Sequence, residues 1–230
     1  WKVVATDPSG SITSSVMNFE VVVAPDWSYD TSDLGDDFNY VAYSSDGEYI
    51  ASTTDKINCT ACTGKLFLHK KSSETPIWTY STDDHINAVG ISGDGRYILA
   101  SVSDTVYLFN NTSNNPIWSY EADEYISDIK FSDDGESIVV GGYQDLYLFD
   151  KDSNTPLWTH TASTGHSWLV DISGDGEYIA GLVGTELKLF HRSSSTPLWT
   201  NGLGSNTDAP SVAISADGQY IVVGGRCDAC

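Results

Sequence analysis

Positive charge is scarce in this sequence: Lys and Arg together number 11 against 32 Asp and Glu, for a net charge of −21. A surface of that sign repels phosphate backbones, which argues against a nucleic-acid partner, and it disfavours docking on anionic lipid. Such acidity suits cation-rich or saline surroundings. No run of 18 or more apolar residues occurs, so no membrane insertion is expected. No signal peptide is visible, and the chain begins at Trp1 rather than Met, which reads as a mature or trimmed piece. The Gly-x-Ser-x-Gly nucleophile elbow is missing. None of the five histidines, His69, His85, His160, His166 and His191, has metal-ligand spacing to another. No catalytic residue is expected.

What is present is aromatic and small polar. The 230 residues include seven Trp and thirteen Tyr, ample for the core of one large all-β domain or two small ones. Ser, Thr, Asn and Asp are abundant, as is common in exported β-proteins. Three Asn-x-Ser/Thr sequons, at Asn58, Asn110 and Asn111, matter only if the host glycosylates.

The decisive feature is repetition. A Ser-x-Asp-Gly tetrapeptide begins at Ser44, Ser92, Ser132, Ser173 and Ser215, with spacings of 48, 40, 41 and 42 residues. A tryptophan marks each unit too, at Trp27, Trp78, Trp118, Trp158 and Trp199. Pro-apolar precedes the last four. An apolar strand lies between the two marks, as in Leu146-Tyr147-Leu148-Phe149. In the third unit the alternation predicts strands over Ile126 to Ser132, Ser137 to Gly142, Leu146 to Phe149 and Leu157 to Thr159. Asp133-Asp134-Gly135 forms a tight turn, and Pro156 sits at an edge. Four-stranded antiparallel units repeated about an axis make a β-propeller. Five repeats are visible, the last incomplete, and the equivalent tryptophans are expected in the core between blades. The Ser-x-Asp-Gly motifs lack the alternating carboxylates of a calcium loop and read as turns.

These motifs resemble prokaryotic WD40-like repeats, and the Thr-Pro-Leu-Trp-Thr endings resemble PQQ-like repeats. The resemblance covers residues 26–230. It departs from eukaryotic WD40 strands, where Trp-Asp stands at the position of Leu148-Phe149. Residues 1–25 lack the repeat and read as two strands around Asp7-Pro8-Ser9-Gly10, resembling the end of an immunoglobulin-like domain. Alternatively they close a five-bladed ring, Phe19 to Val23 and Trp27 supplying the strands the fifth repeat lacks. An array with more blades is the favoured expectation.

Four cysteines form two Cys-x-x-Cys pairs, Cys59/Cys62 and Cys227/Cys230, each after a second strand, the first in an insertion from Thr54 to Gly64. Disulfides are favoured if the protein is exported. A zinc site built from all four thiolates needs the first and fifth blades to touch. Free thiols are the third possibility, and redox chemistry is disfavoured between strands.

Residues just before each first strand are expected at one mouth of the channel. Asp36, Asp37, Asp83, Asp84, Asp123, Glu124 and Asp208 would there form a cation ring for Ca²⁺, or merely a solvated acidic face. Trp168, His85 and His166 are candidate ligand contacts, Trp168 as an exposed stacking face or as ordinary packing. The expected function is non-catalytic: protein or glycan interaction, or assembly, by a module of an extracellular or cell-surface protein. No cofactor is expected beyond a possible Ca²⁺ or Zn²⁺. The PQQ-like resemblance implies an alternative, a quinoprotein-like enzyme, although the short blades leave little room for a buried cofactor; a hydrolytic enzyme is the other catalytic alternative. A third expectation is an extracellular polymer, self-associating by strand exchange at unpaired blade edges.

Overall fold

The computed structural model describes residues 4–7, 10–13, 29, 36–56, 63–163, 166–203 and 207–227. Near the start, β1 (Val4–Asp7) and β2 (Gly10–Thr13) pair as an antiparallel hairpin. Every later strand belongs to a meander. The first sheet is β3 (Asp36–Tyr43), β4 (Tyr49–Lys56), β5 (Gly64–Lys70) and β6 (Trp78–Ser81). The second is β7 (Ile86–Ile91), β8 (Tyr97–Val102), β9 (Thr105–Asn110) and β10 (Ser113–Glu121). The third is β11 (Ile126–Phe131), β12 (Ser137–Gly142), β13 (Asp145–Asp150) and β14 (Trp158–Thr161). The fourth is β15 (Trp168–Ile172), β16 (Tyr178–Val183), β17 (Glu186–His191) and β18 (Ser194–Gly202). Last come β19 (Thr207–Ile214) and β20 (Ile221–Cys227), paired as a two-stranded sheet. The described residues form an all-β propeller array of four complete blades and half of a fifth.

The Ser-x-Asp-Gly turns make the first hairpin of each blade. In blade one, the Ser44 hydroxyl donates to Asp46 Oδ1 at 2.5 Å and accepts the Tyr49 N–H at 3.0 Å. Asp46 Oδ1 also accepts the Glu48 N–H. The serine-aspartate bond recurs in all five units at 2.5–2.7 Å. The motif glycine takes a φ of 67–72° in each. At Gly95 a Cβ would also collide with the Tyr49 ring of the preceding blade, so the turn needs glycine twice over.

Blades stack face to face. Alternation along each strand sends one set of side chains forward and the other back. Leu66 and Leu68 of β5 pack with Ile98, Ala100 and Phe109 of blade two. Leu99 and Leu108 of blade two pack with Ile129, Ile138 and Phe149 of blade three. Val139 and Leu148 then meet Val170, Ile179 and Phe190. Polar ties cross the same joints. Trp78, Trp118 and Trp158 each donate their indole N–H to a main-chain carbonyl of the next blade, at Asn111, Lys151 and Arg192. The Ser45 N–H reaches the Gly93 carbonyl, and the Gly174 N–H the Ala216 carbonyl, at 2.9 Å.

Trp199, the fifth of these tryptophans, is 40% exposed: among the described residues the half-blade that follows it, β19–β20, has no third strand to receive its ring. Its expected place in the core is therefore corrected. The insertion is smaller than its sequence suggests, since β4 and β5 pair out to Asp55↔Gly64. Phe19 to Val23 and Trp27, the candidate ring-closing strands, lie outside the described residues. Tyr29 is described. Its ring meets Phe67 edge-on at 5.4 Å, as Tyr80 meets Phe109 and Tyr120 meets Phe149.

Candidate functional site

Two loops and one hairpin turn build the mouth over blade two. Asp83-Asp84-His85 links β6 to β7, Asp123-Glu124-Tyr125 links β10 to β11, and Ser103-Asp104 turns β8 into β9. Each is pinned locally. Asp84 Oδ1 accepts the His85 N–H at 2.8 Å, and the Thr82 hydroxyl donates to the Asp84 carbonyl at 2.5 Å. The Ser103 carbonyl accepts the Asn87 side-chain N–H at 3.0 Å and the Ile126 N–H at 3.0 Å, bridging blades two and three. Ser103 does this at a φ of 55°, in the left-handed region, where blade four places Gly184. A non-glycine residue there costs of order 1–2 kcal/mol.

Around these residues lie two adjoining cavities. One, of about 280 Å³, is lined by Tyr40, Asp84, His85, Asn87, Ser103 and Tyr125. The other, of about 540 Å³, shares Asp84 and Ser103 and adds Tyr80, Asp83, Asp104 and Tyr107. Tyr40 and Tyr125 stay about half exposed. Tyrosine faces beside carboxylate acceptors suit a ligand with both C–H surface and hydroxyl donors. Burial raises the Tyr80 phenol above the ordinary range, so it remains a neutral donor.

The expected cation-ring residues divide into several groups. Asp83 and Asp84 line the cavities. Glu124 is committed elsewhere: its carboxylate accepts the N–H groups of Gln144 and Asp145 and holds the β12–β13 turn. Asp123 stands exposed beside it. Asp36, Asp37 and Asp208 are not loop residues. They lie within β3 and β19, because the partner strands run on to Lys56 and Cys227 and extend both ladders. Among the described residues no three His, Cys, Asp or Glu side chains gather to hold a metal. Cys59, Cys62 and Cys230 lie outside the described residues, and Cys227 ends β20.

Trp168 is not an exposed stacking face. Its indole has no exposed surface and donates to the Gln144 carbonyl at 2.8 Å. Gly141 and Gly181 leave the space: a Cβ at either would lie within 3 Å of the Trp168 main chain or ring. His85 is exposed and lines the smaller cavity. His166 is exposed against the Gly184 turn and is not among the residues lining either cavity.

Three carboxylate positions have roles the repeat pattern did not single out. Asp128 Oδ2 accepts the Val170 N–H of the next blade at 3.0 Å, while its Oδ1 meets Lys130 at 2.6 Å. Asp171 Oδ2 accepts the Ile214 N–H at 2.8 Å, and burial raises its pKa. Asp145 accepts the Thr161 hydroxyl across a hairpin. A carboxylate at an inner-strand position of an alternating apolar strand was the available signal for the first two.

No family model matches the sequence, and no curated protein matches it either. Solved structures do. Hydrazine synthase of Kuenenia stuttgartiensis is similar over 81% of this chain and 55% of its own, with a TM-score of 0.67 and 15% identity. The likeness is one of fold. This chain spans about half the length of that protein. Matches extend to 1215 solved chains, so the architecture is too widely used to select an activity.

Proposed function

We propose that this chain is a non-catalytic β-propeller module of an exported or cell-surface protein, mediating protein or glycan interaction or assembly. The observation that carries the reading is the pair of joined cavities over blade two. Half-exposed Tyr40 and Tyr125 flank Asp84 and His85 there, on a frame locked by inter-blade bonds. Loops on a rigid scaffold are the usual place for recognition. The net charge of −21 favours neutral or cationic ligands over anionic ones. Export is supported by the scarcity of lysine and by the paired cysteines, for which disulfides remain preferred over zinc.

The test is calorimetric titration of the purified chain with a panel of neutral oligosaccharides and basic peptides. The same preparation is weighed without reductant. The expected result is saturable heat with one class, weakened at least tenfold by Tyr125→Ala, and a mass lower by four hydrogen atoms, as two disulfides require. Binding of pyrroloquinoline quinone with Ca²⁺, read as a bound chromophore, would overturn the non-catalytic reading. Heat from no member of the panel would overturn the interaction reading.

A further inference from the structure

The same groove recurs where successive blades meet, and the chain handles its charge differently at each joint. The residue two places after a blade's tryptophan faces the third residue of the next blade's third strand. Tyr80 thus meets Tyr107 at 5.9 Å, and Tyr120 meets Tyr147 at 5.5 Å. Where blade three meets blade four, the matching places are held by His160 and Lys188. Lys188 is a cation supplied from within. Its Nζ lies 2.8 Å from Glu186 Oε2, and only 12% of its side chain is exposed. Between blades two and three the carboxylates are used up instead. Both Glu124 oxygens accept turn N–H groups, and the two oxygens of Asp145 accept the hydroxyls of Thr161 and Tyr147.

The joint of blades one and two has neither arrangement. Asp83, Asp84 and Asp104 line the larger cavity there with Tyr80 and Tyr107. Asp84 spends Oδ1 on the His85 N–H, and Asp104 spends Oδ1 on the Thr105 hydroxyl. Their Oδ2 atoms and both oxygens of Asp83 accept no hydrogen bond from the described residues, and no described lysine or arginine pairs with any of the three. Asn87, lining the adjoining smaller cavity, adds an acceptor held inside the protein. The residue is 6% exposed, its Nδ2 donates to the Ser103 carbonyl, and its Oδ1 receives no donor from the described residues. A buried polar atom left open in this way calls for a partner. These unused oxygens want a ligand that donates and is positive. Among the described residues no three acidic side chains converge as metal ligands would. Spread carboxylates, an amide oxygen and two phenol faces suit an organic ammonium, which offers three N–H donors and is drawn to ring faces.

We infer that the groove between blades one and two binds a lysine side chain of a basic peptide, its ammonium taking at this joint the place that Lys188 takes between blades three and four. This names the partner class for the proposed recognition site and rests on that reading. The larger cavity is wider than one lysine side chain needs and adjoins the smaller one, which gives the flanking peptide chain a place. The net charge of −21 draws such a peptide in, and added salt weakens the attraction.

Calorimetric titration of the whole chain with blocked pentalysine tests it, beside the same peptide acetylated at every Nζ and beside free spermidine. The unaltered chain should bind pentalysine saturably, and acetylation should abolish the heat. Asp84→Asn and Asp104→Asn should each weaken binding roughly tenfold or more. Glu74→Gln makes the same charge change on an exposed loop of blade one and should leave binding within about twofold. All three substitutions keep the side chain's shape, and equal melting temperatures check that the fold is kept. Equal weakening by all three would assign the binding to general acidity and overturn the proposal. Spermidine bound as tightly as pentalysine would overturn the assignment to a peptide. Pentalysine that gives no heat, while an oligosaccharide still binds through Tyr125, would overturn this inference and leave the interaction reading standing.

Discussion

The indole N–H of Trp118 donates to the main-chain carbonyl of Lys151 at 2.7 Å, reaching from the last strand of one blade into the outer turn of the next. The ring also stacks on Phe149 at 5.8 Å. Trp118→Phe keeps most of the apolar contact and strands the carbonyl. It should cost about 1–2 kcal/mol in denaturant unfolding. Trp199→Phe, with no such bond to lose, should cost close to nothing. Equal losses at the two sites would mean that the bond contributes nothing beyond ring packing.

Acid should uncover the turn carboxylates. Asp175 is held below the usual carboxylate range first by the Ser173 hydroxyl and then by the Glu177 N–H. A depressed folded pKa adds stability above the unfolded value of about 3.9, and that contribution is lost as pH falls through the folded value. Lowering the pH also relieves general repulsion in so acidic a chain, so the useful quantity is a difference. Asp175→Asn should melt below the unaltered protein at about pH 7, and the gap should close on acidification. A gap of constant size down to about pH 2 would assign the effect to shape rather than charge. Asp171 has the opposite sign, since burial raises its pKa and protonation there relieves a cost.

The motif glycines separate backbone strain from contact. Gly47→Ala meets only the left-handed φ of 69°, a cost of about 1–2 kcal/mol. Gly95→Ala meets a φ of 67° and the Tyr49 ring as well, and should lose a further ~1–3 kcal/mol through overpacking. Gly202→Ala, with open space and no positive φ, is the control. Urea midpoints in the order Gly202, Gly47, Gly95, from least to most destabilised, are expected. Equal midpoints for Gly47 and Gly95 would show that Tyr49 simply moves aside.

The blade architecture was legible because its signals are local and repeated. The third unit's strands fall where the alternation and the Asp-Gly turn put them, with β12 at Ser137–Gly142 as expected. The fate of Trp168 was not legible from its own position, where other units carry Asn, Ser or Pro. What buries it is the pair Gly141 and Gly181 on two different blades, whose proximity only the stacked fold creates. The bounds of β3 and β19 were missed for a related reason. Their length is set by the partner strands, which run on beyond the common repeat. In the site, Asp84 and His85 were singled out by position before a first strand. Tyr125 and Ser103 were not, because one depends on exposure and the other on a backbone angle.

The bonds between successive hairpin turns, Ser45 to Gly93 and Gly174 to Ala216, connect only adjacent blades. An inner blade is clasped from two sides and an outer one from one side. Stability in such a stack is a nearest-neighbour sum. The unit loosens by fraying inward from its outer blades, so amides of β12 and β13 should outlast those of β3 and β20 in hydrogen exchange. Anything seated on an outer face would act as an end cap and slow the exchange of the blades beneath it.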